Sequence, residues 1–288
     1  MKLAIIGSGN VASATAMELA RGNSFQEIVW VARNVRKAEA SLKDVISVFP
    51  SFVQQVRLTE SLHGEYPDIV VVAAGVHVAV GQATRLEARD INAAILLSYV
   101  SGNLKKTSIV VIVASPVDEL TALAAKILEL PIRQIMGFGG DLDFHRLEYA
   151  LGRRGRSTTS ISVIGEHGPR AIPVYPGEFE YGIVAHEVRH LLADIWSLVG
   201  RPRNLATGVL LGCLLRSLLE SQSSRHHVTT YCPDYEEYLT WPSVVSGSGV
   251  VGRQPLQLGP SALLELGNLL RQRKHEGTTN FGVPHIYR

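Results

Sequence analysis

MKLAIIGSGNVASATAMELA, residues 1–20, is the stretch on which the fold turns. A short apolar run at 3–6 ends in Gly7-Ser8-Gly9-Asn10-Val11-Ala12, and a helical pattern follows over 11–21. A strand running through glycines into a helix is the context that raises a GxGxxG-like string above chance. Gly7 permits a tight turn, and Gly9 lets backbone come close to a pyrophosphate. The free N–H groups of the helix start, at Asn10 and Val11, would attract that anion. Ala12 stands in the third glycine position, where a small residue suffices for helix packing. Taken alone, the same string also fits an ordinary glycine-rich turn.

Further apolar, often β-branched runs lie at 28–31, 69–73 and 109–113, with another helical pattern at 85–100. Strands alternating with helices predict a parallel sheet covered on both faces. Past residues 137–140 the texture changes. A helix is expected at 141–152, short strands in the IRQI and SISVIG segments, and long helices at 181–199 and 204–221. Antiparallel segments follow at 226–231 and 243–251, then a closing helix at 260–272 and a polar tail from Lys274 to Arg288. The expected fold class is α/β. An N-terminal Rossmann domain with a doubly wound parallel sheet (1–138) precedes a C-terminal α/β (α+β) substrate domain (139–288).

The second strand reads Glu27-Ile-Val-Trp-Val-Ala32-Arg33-Asn34, with Arg36 close behind. An NAD enzyme normally ends this strand with an acid that binds the adenine ribose hydroxyls. Ala32 removes that carboxylate, and Arg33 and Arg36 offer fork-shaped donors for a 2′-phosphate. Arg33, Asn34 and Arg36 are therefore candidate cofactor contacts, and NADP is expected in preference to NAD. The competing reading leaves the two arginines as solvated surface charges.

The 288 residues suffice for one large core or two modest domains. A net charge of +2 gives no call for nucleic acid or an anionic membrane. Cys213 and Cys232 are spaced for neither zinc nor a disulfide scaffold. No metal is expected, and a reducing cytoplasm is the simpler compartment. The chain starts directly on a core strand, so neither a signal peptide nor a spanning segment is expected. The apolar stretch 205–219, carrying Gly208, Gly212 and Arg216, reads as a buried helix.

Charged residues in apolar settings carry the chemistry. Asp143 and Arg146 lie three apart in GDLDFHRLEYAL, on one helix face. His167 lies in IGEHGPRAIPV, where small neighbours let a ligand approach the ring. A carboxylate on one imidazole nitrogen fixes the tautomer and favours the charged ring, leaving the other nitrogen to give a proton. An Asp–Arg helix pair with an unrelated loop histidine is the bland alternative.

The motifs GSGNVA, AAGVHVAVGQATRLEARDIN, VIVASPVDELT, GFGGDLDFHRLEYAL and IGEHGPRAIPV occur in this order. From the N-terminus to about Gln272 the chain resembles the lactate/malate dehydrogenase family. The resemblance implies that His167 is the proton donor/acceptor and Asp143 the carboxylate that orients it. It implies that Arg146 grips the substrate carboxylate and that Arg85, on a mobile loop, polarises the reacting carbonyl. Gly75, Asn92 and Val113 fall at cofactor contacts, and Thr207 near a substrate-pocket threonine. It also implies a homodimer or homotetramer, with helices 11–21 and those after Tyr181 as candidate faces.

The sequence departs from the family pattern around the ligands. Ser115 stands where the family has an asparagine that touches substrate and nicotinamide ribose. Val78 or Ala79 holds the selectivity position, where lactate enzymes place Gln and malate enzymes Arg. An apolar residue there gives a second carboxylate no partner. Pro169 replaces an acid after GEHG, with no functional account. The expectation is hydride transfer between NAD(P)H and a 2-oxo/2-hydroxy acid with a non-acidic side chain. The alternatives are a standard NAD-dependent lactate or malate dehydrogenase, or a non-catalytic dinucleotide-binding regulator. A fold-related NAD-dependent glycosidase is disfavoured by length and by the lack of a metal-ligand grouping.

Overall fold

A computed structural model describes residues 1–22, 24–76, 85–176, 181–199, 204–220 and 222–276. The first half runs β1 (Lys2–Ile6), α1 (Asn10–Gly22), β2 (Glu27–Val31), α2 (Val35–Val48), β3 (Val56–Thr59), β4 (Ile69–Val72), α3 (Arg85–Val100), β5 (Ile109–Ile112), α4 (Val117–Ile127) and β6 (Ile135–Phe138). The second half runs α5 (Gly140–Gly152), β7 (Ser162–Gly165), β8 (Ala171–Val174), α6 (Tyr181–Val199), α7 (Leu205–Ser217), β9 (Ser224–Cys232), β10 (Glu237–Ser246), β11 (Gly249–Arg253) and α8 (Pro260–His275).

The first six strands are parallel, in the order β3-β2-β1-β4-β5-β6. This is the doubly wound arrangement predicted by alternating strand and helix patterns. Strand alternation splits the core into two layers. Leu3 and Ile5 face α1, α2 and α7, whereas Ala4 and Ile6 face α3 and α4. β4 and β5 are buried on both faces, so IVVV and IVVI carry no polar alternation. The antiparallel β9 pairs with β6 and carries the sheet into the second half, where β10, β7, β8 and β11 continue it antiparallel.

Several local readings need correction. IRQI is not a strand of the second half. Residues Ile132–Gln134 form a 3-10 turn, and Ile135 starts β6 beside β5. Pro131 leads into that turn, and the apolar residues that follow complete the parallel sheet. The antiparallel 243–251 segment is a hairpin, as expected, in which β10 turns through Gly247 and Ser248 into β11. The 205–219 stretch is buried on one face only. Gly208 and Gly212 let α7 lie against Ala14 and Glu18 of α1, where an added Cβ would come within 2.3 and 2.4 Å. Leu205 and Val209 on the other face are 70% and 46% exposed. The closing helix continues to His275, two residues into the expected tail. No helix among the described residues is long and apolar enough to cross a membrane.

Candidate active site

The turn after β1 behaves as its glycines require. Gly7 has φ +127°, and a Cβ there would meet the Ala73 carbonyl carbon at 2.9 Å. Its own N–H donates to Val31 O at 2.8 Å, and Trp30 Nε1 donates to Gly7 O at 2.6 Å. Gly9 has open space where a Cβ would be, directly before the free N–H groups at the start of α1. A glycine locked against β4, beside open space at a helix N-terminus, fits a dinucleotide pyrophosphate. The turn sits beside β4, where the strand order reverses, the usual place for ligands in such sheets.

A cavity of about 360 Å³ continues from this turn. It is lined by Val11, Gly75, Asn92, Val113 and Ser115 on the nucleotide side, and by Arg146, His167 and Thr207 on the other. Eight of the residues expected at a ligand thus line one crevice. Asn92 bonds within the protein. Its Oδ1 accepts from Val76 N at 2.7 Å, and its Nδ2 donates to Ser115 O at 2.6 Å and Val76 O at 3.2 Å. The buried amide therefore braces the two loops that form the cavity wall.

The far wall is organised by Asp143, which is fully buried. Its Oδ2 accepts from Gly168 N at 3.0 Å and lies 2.7 Å from His167 Nδ1. Its Oδ1 accepts from Arg146 Nη1 at 2.6 Å. One carboxylate thus serves both the helix pair and the histidine, which removes the bland alternative of an Asp–Arg pair unrelated to the loop. With Nδ1 engaged, Nε2 is the nitrogen left to a ligand. Burial works against protonation of His167, and Arg146 opposes it too. The charge and hydrogen bond of Asp143, with help from Asp118, win and raise its pKa above the ordinary histidine value. Gly139 is needed here: a Cβ would lie 2.4 Å from His167 Cγ.

Asp118 went unnoticed in the sequence. Its Oδ2 accepts the His167 backbone N–H at 3.0 Å, and its Oδ1 accepts from Thr229 at 2.8 Å. The ASPVDEL motif that contains it was the available signal. His145 and Tyr149 also line the cavity and were missed, although they share a helix face with Arg146. Pro169 is exposed on the turn into β8, away from the cavity lining.

At the end of β2, Ala32 is packed into the core while Arg33 and Arg36 are exposed, without an ion pair among the described residues. Asn34 is exposed beside them and has a structural task as well. Its Oδ1 caps α2 by accepting from Lys37 N at 3.1 Å, because a short amide before a helix satisfies a free N–H there. Val78 and Ala79 lie outside the described residues. Arg85 opens α3, and its side chain also lies outside them. No group of three metal-ligating side chains occurs among the described residues.

Comparison with known proteins identifies the family and the fold. Residues 1–137 match the family model described as lactate/malate dehydrogenase, NAD binding domain. An L-lactate dehydrogenase of Clostridium botulinum (strain Hall) is 33% identical over 283 residues, spanning 86% of this chain and 87% of that protein. The mouse L-lactate dehydrogenase C chain is 26% identical over 280 residues, spanning 86% and 84%. In structure, a lactate dehydrogenase from a Medee basin deep-sea metagenome library superposes with TM-score 0.83 at 19% identity, covering 97% of this chain and 99% of that one. The malate dehydrogenase of Aeropyrum pernix superposes with TM-score 0.82 at 24% identity, covering 95% and 96%. These two superpositions establish the fold, while the botulinum relative extends the match through α5 and the His167 turn. The chain belongs to the lactate/malate dehydrogenase family and is an oxidoreductase of the 2-hydroxy acid dehydrogenase class, with an NAD(P)-binding N-terminal half.

Proposed function

We propose that this protein interconverts a 2-oxo acid and its 2-hydroxy acid, that the substrate side chain is non-acidic, and that NADP(H) is the preferred cofactor. The carrying observation is the Asp143 carboxylate, which binds His167 and Arg146 at once at the wall of the cavity. The reduced nicotinamide, when bound, supplies the hydride. His167, kept protonated by Asp143, gives its Nε2 proton to the developing alkoxide, a step that typically contributes ~10²–10⁴-fold. Arg146 keeps donors beyond the one used by Asp143 and takes the substrate carboxylate as a fork. Arg85 is assigned the polarisation of the carbonyl oxygen, where preorganised positive charge lowers the barrier.

Gly7, Gly9, Asn10, Val11, Gly75 and Val113 would hold the dinucleotide, with Asn92 bracing its loops. Ser115 and Thr207, from opposite walls of the cavity, are assigned to substrate binding. Phe138, Leu142, Leu191 and Leu210 supply much of the lining, which suits an apolar substrate side chain. Val78 or Ala79 would add to that selectivity, on the sequence argument alone. The family description names NAD, whereas the buried Ala32 and exposed Arg33 and Arg36 favour the phosphorylated form. A nucleotide unit of residues 1–138, a substrate unit of 139–288, a homodimeric or homotetrameric assembly and a cytoplasmic setting complete the proposal.

The test is loss of reduced-nicotinamide absorbance with NADPH and NADH side by side, across 2-oxo acids of increasing side-chain size. Faster NADPH oxidation with a bulky apolar acid is expected. Binding of both cofactors without turnover of any 2-oxo acid would favour a dinucleotide-sensing regulator instead.

A further inference from the structure

Arg273, near the end of α8, is only 2% exposed. A guanidinium so deeply buried needs partners. Its Nη1 donates to Tyr238 O at 2.7 Å and lies 3.3 Å from Glu237, and its Nε lies 3.6 Å from Glu166. Glu166 is itself buried and immediately precedes His167 in the chain. Its other oxygen pairs with Arg170 at 3.2 Å.

Glu166 is linked electrostatically to a second buried acid. Asp118 is 1% exposed, takes the His167 backbone N–H and is bonded by Thr229, with Thr240 at 3.5 Å. Burial, and next the nearby Glu166 charge, push the Asp118 carboxyl up to about 6, while Arg273, the Thr229 hydroxyl and His167 pull it down. The imidazole of His167 feels Asp118 in turn, together with Asp143 and Arg146 of α5. Lys126 of α4 acts on Glu237 at the outer end of the cluster. The closing helix is therefore connected to the proton-donor turn through two acids, although Arg273 does not line the cavity.

We propose that Arg273 is a positioning residue for His167: by neutralising the buried Glu166–Asp118 pair from the C-terminal helix, it holds the His167 backbone in place and sets the charge around its ring. This rests on the reading of His167 as proton donor. Without Arg273, Arg170 is left to offset the Glu166 charge felt by Asp118, and burial then favours a proton on Asp118. A neutral Asp118 no longer supports the imidazolium.

The experiment follows the His167 ring by NMR titration in full-length, histidine-labelled protein, with His167→Asn assigning the signal. Arg273→Met should lower the His167 midpoint by about half a pH unit or more. Arg273→Lys should recover most of it. The fall of kcat/KM for 2-oxo acid reduction at rising pH should move with the midpoint, while cofactor affinity stays put. An unmoved midpoint in folded Arg273→Met overturns the proposal. Should that variant fail to fold, Glu166→Gln decides. It relieves the repulsion on Asp118 and should raise the His167 midpoint; no rise overturns the proposal. Midpoints that shift as expected in a protein that turns over no 2-oxo acid would refute the proposed reaction while leaving the positioning role intact.

Discussion

Replacing Asp143 by asparagine keeps the shape of the side chain and removes its charge. The 2.7 Å separation of Oδ2 and His167 Nδ1 is a direct hydrogen bond. It puts the charge centres about 4 Å apart, an attraction of roughly 4 kcal/mol at an effective dielectric near 20. At ~1.4 kcal/mol per pK unit, that is about three units of support for the imidazolium. Burial pulls the other way and Arg146, losing its 2.6 Å partner, would then repel the ring without compensation. The His167 pKa should therefore drop from above the ordinary value to below it, leaving ~10²–10³-fold less protonated ring at neutral pH. Reduction consumes that proton, so its rate falls as pH rises through the His167 pKa. The assay is kcat/KM for 2-oxo acid reduction from about pH 5 to about pH 9, with cofactor affinity measured by fluorescence. The expected result is a ~10²–10³-fold loss at neutral pH, partly recovered in acid, with cofactor affinity unchanged. A loss below about tenfold, with the alkaline fall-off where it was, would refute the assignment.

Arg146→Lys should raise the KM for the 2-oxo acid by about 10–100-fold with a smaller change in kcat, because an ammonium cannot reproduce the fork; steady-state kinetics decide it. Ala32→Asp combined with Arg33→Ser should turn cofactor preference from NADP toward NAD, read as the ratio of the two dissociation constants, and an unchanged ratio would return both arginines to the solvated surface. Gly139→Ala places a methyl 2.4 Å from His167 Cγ and should cost at least about tenfold in kcat, with cofactor affinity intact. Asp141 lies 2.7 Å from His226 Nδ1 and accepts from His227 N at 2.6 Å. Burial raises its pKa, but the bonds to His226 and His227 outweigh that and hold it at about 2, against 3.8 for a free aspartate. A depressed carboxyl stabilises the fold above its unfolded pKa and loses that contribution as pH falls through the folded one. Asp141→Asn should thus remove roughly 2 kcal/mol near neutrality and flatten the acid-induced loss between about pH 4 and about pH 2, which denaturant titrations would measure.

Local rules carried a large share of this protein. Short apolar, often β-branched runs located β1, β2, β4 and β5, and helical patterns located α1, α3 and α6, because a buried parallel strand and an amphipathic helix write their burial directly into the residue order. The Gly7 turn was equally legible, since its conformation excludes other residues. The candidate site was legible only as separate fragments. Asp143 and His167 are 24 residues apart, and spacing alone could not say that they bond. Asp118 and Arg273 gave still less away, because each reads as a helix-surface charge until β9, β10 and α8 close over it. The amino-acid sequence by itself determined the alternation of elements, the nucleotide turn and the supply of charged groups, all of which depend on neighbours a few residues away. Tertiary structure alone decided which charges are buried together, since only packing removes water and makes a carboxylate answer to a histidine or an arginine distant in the chain.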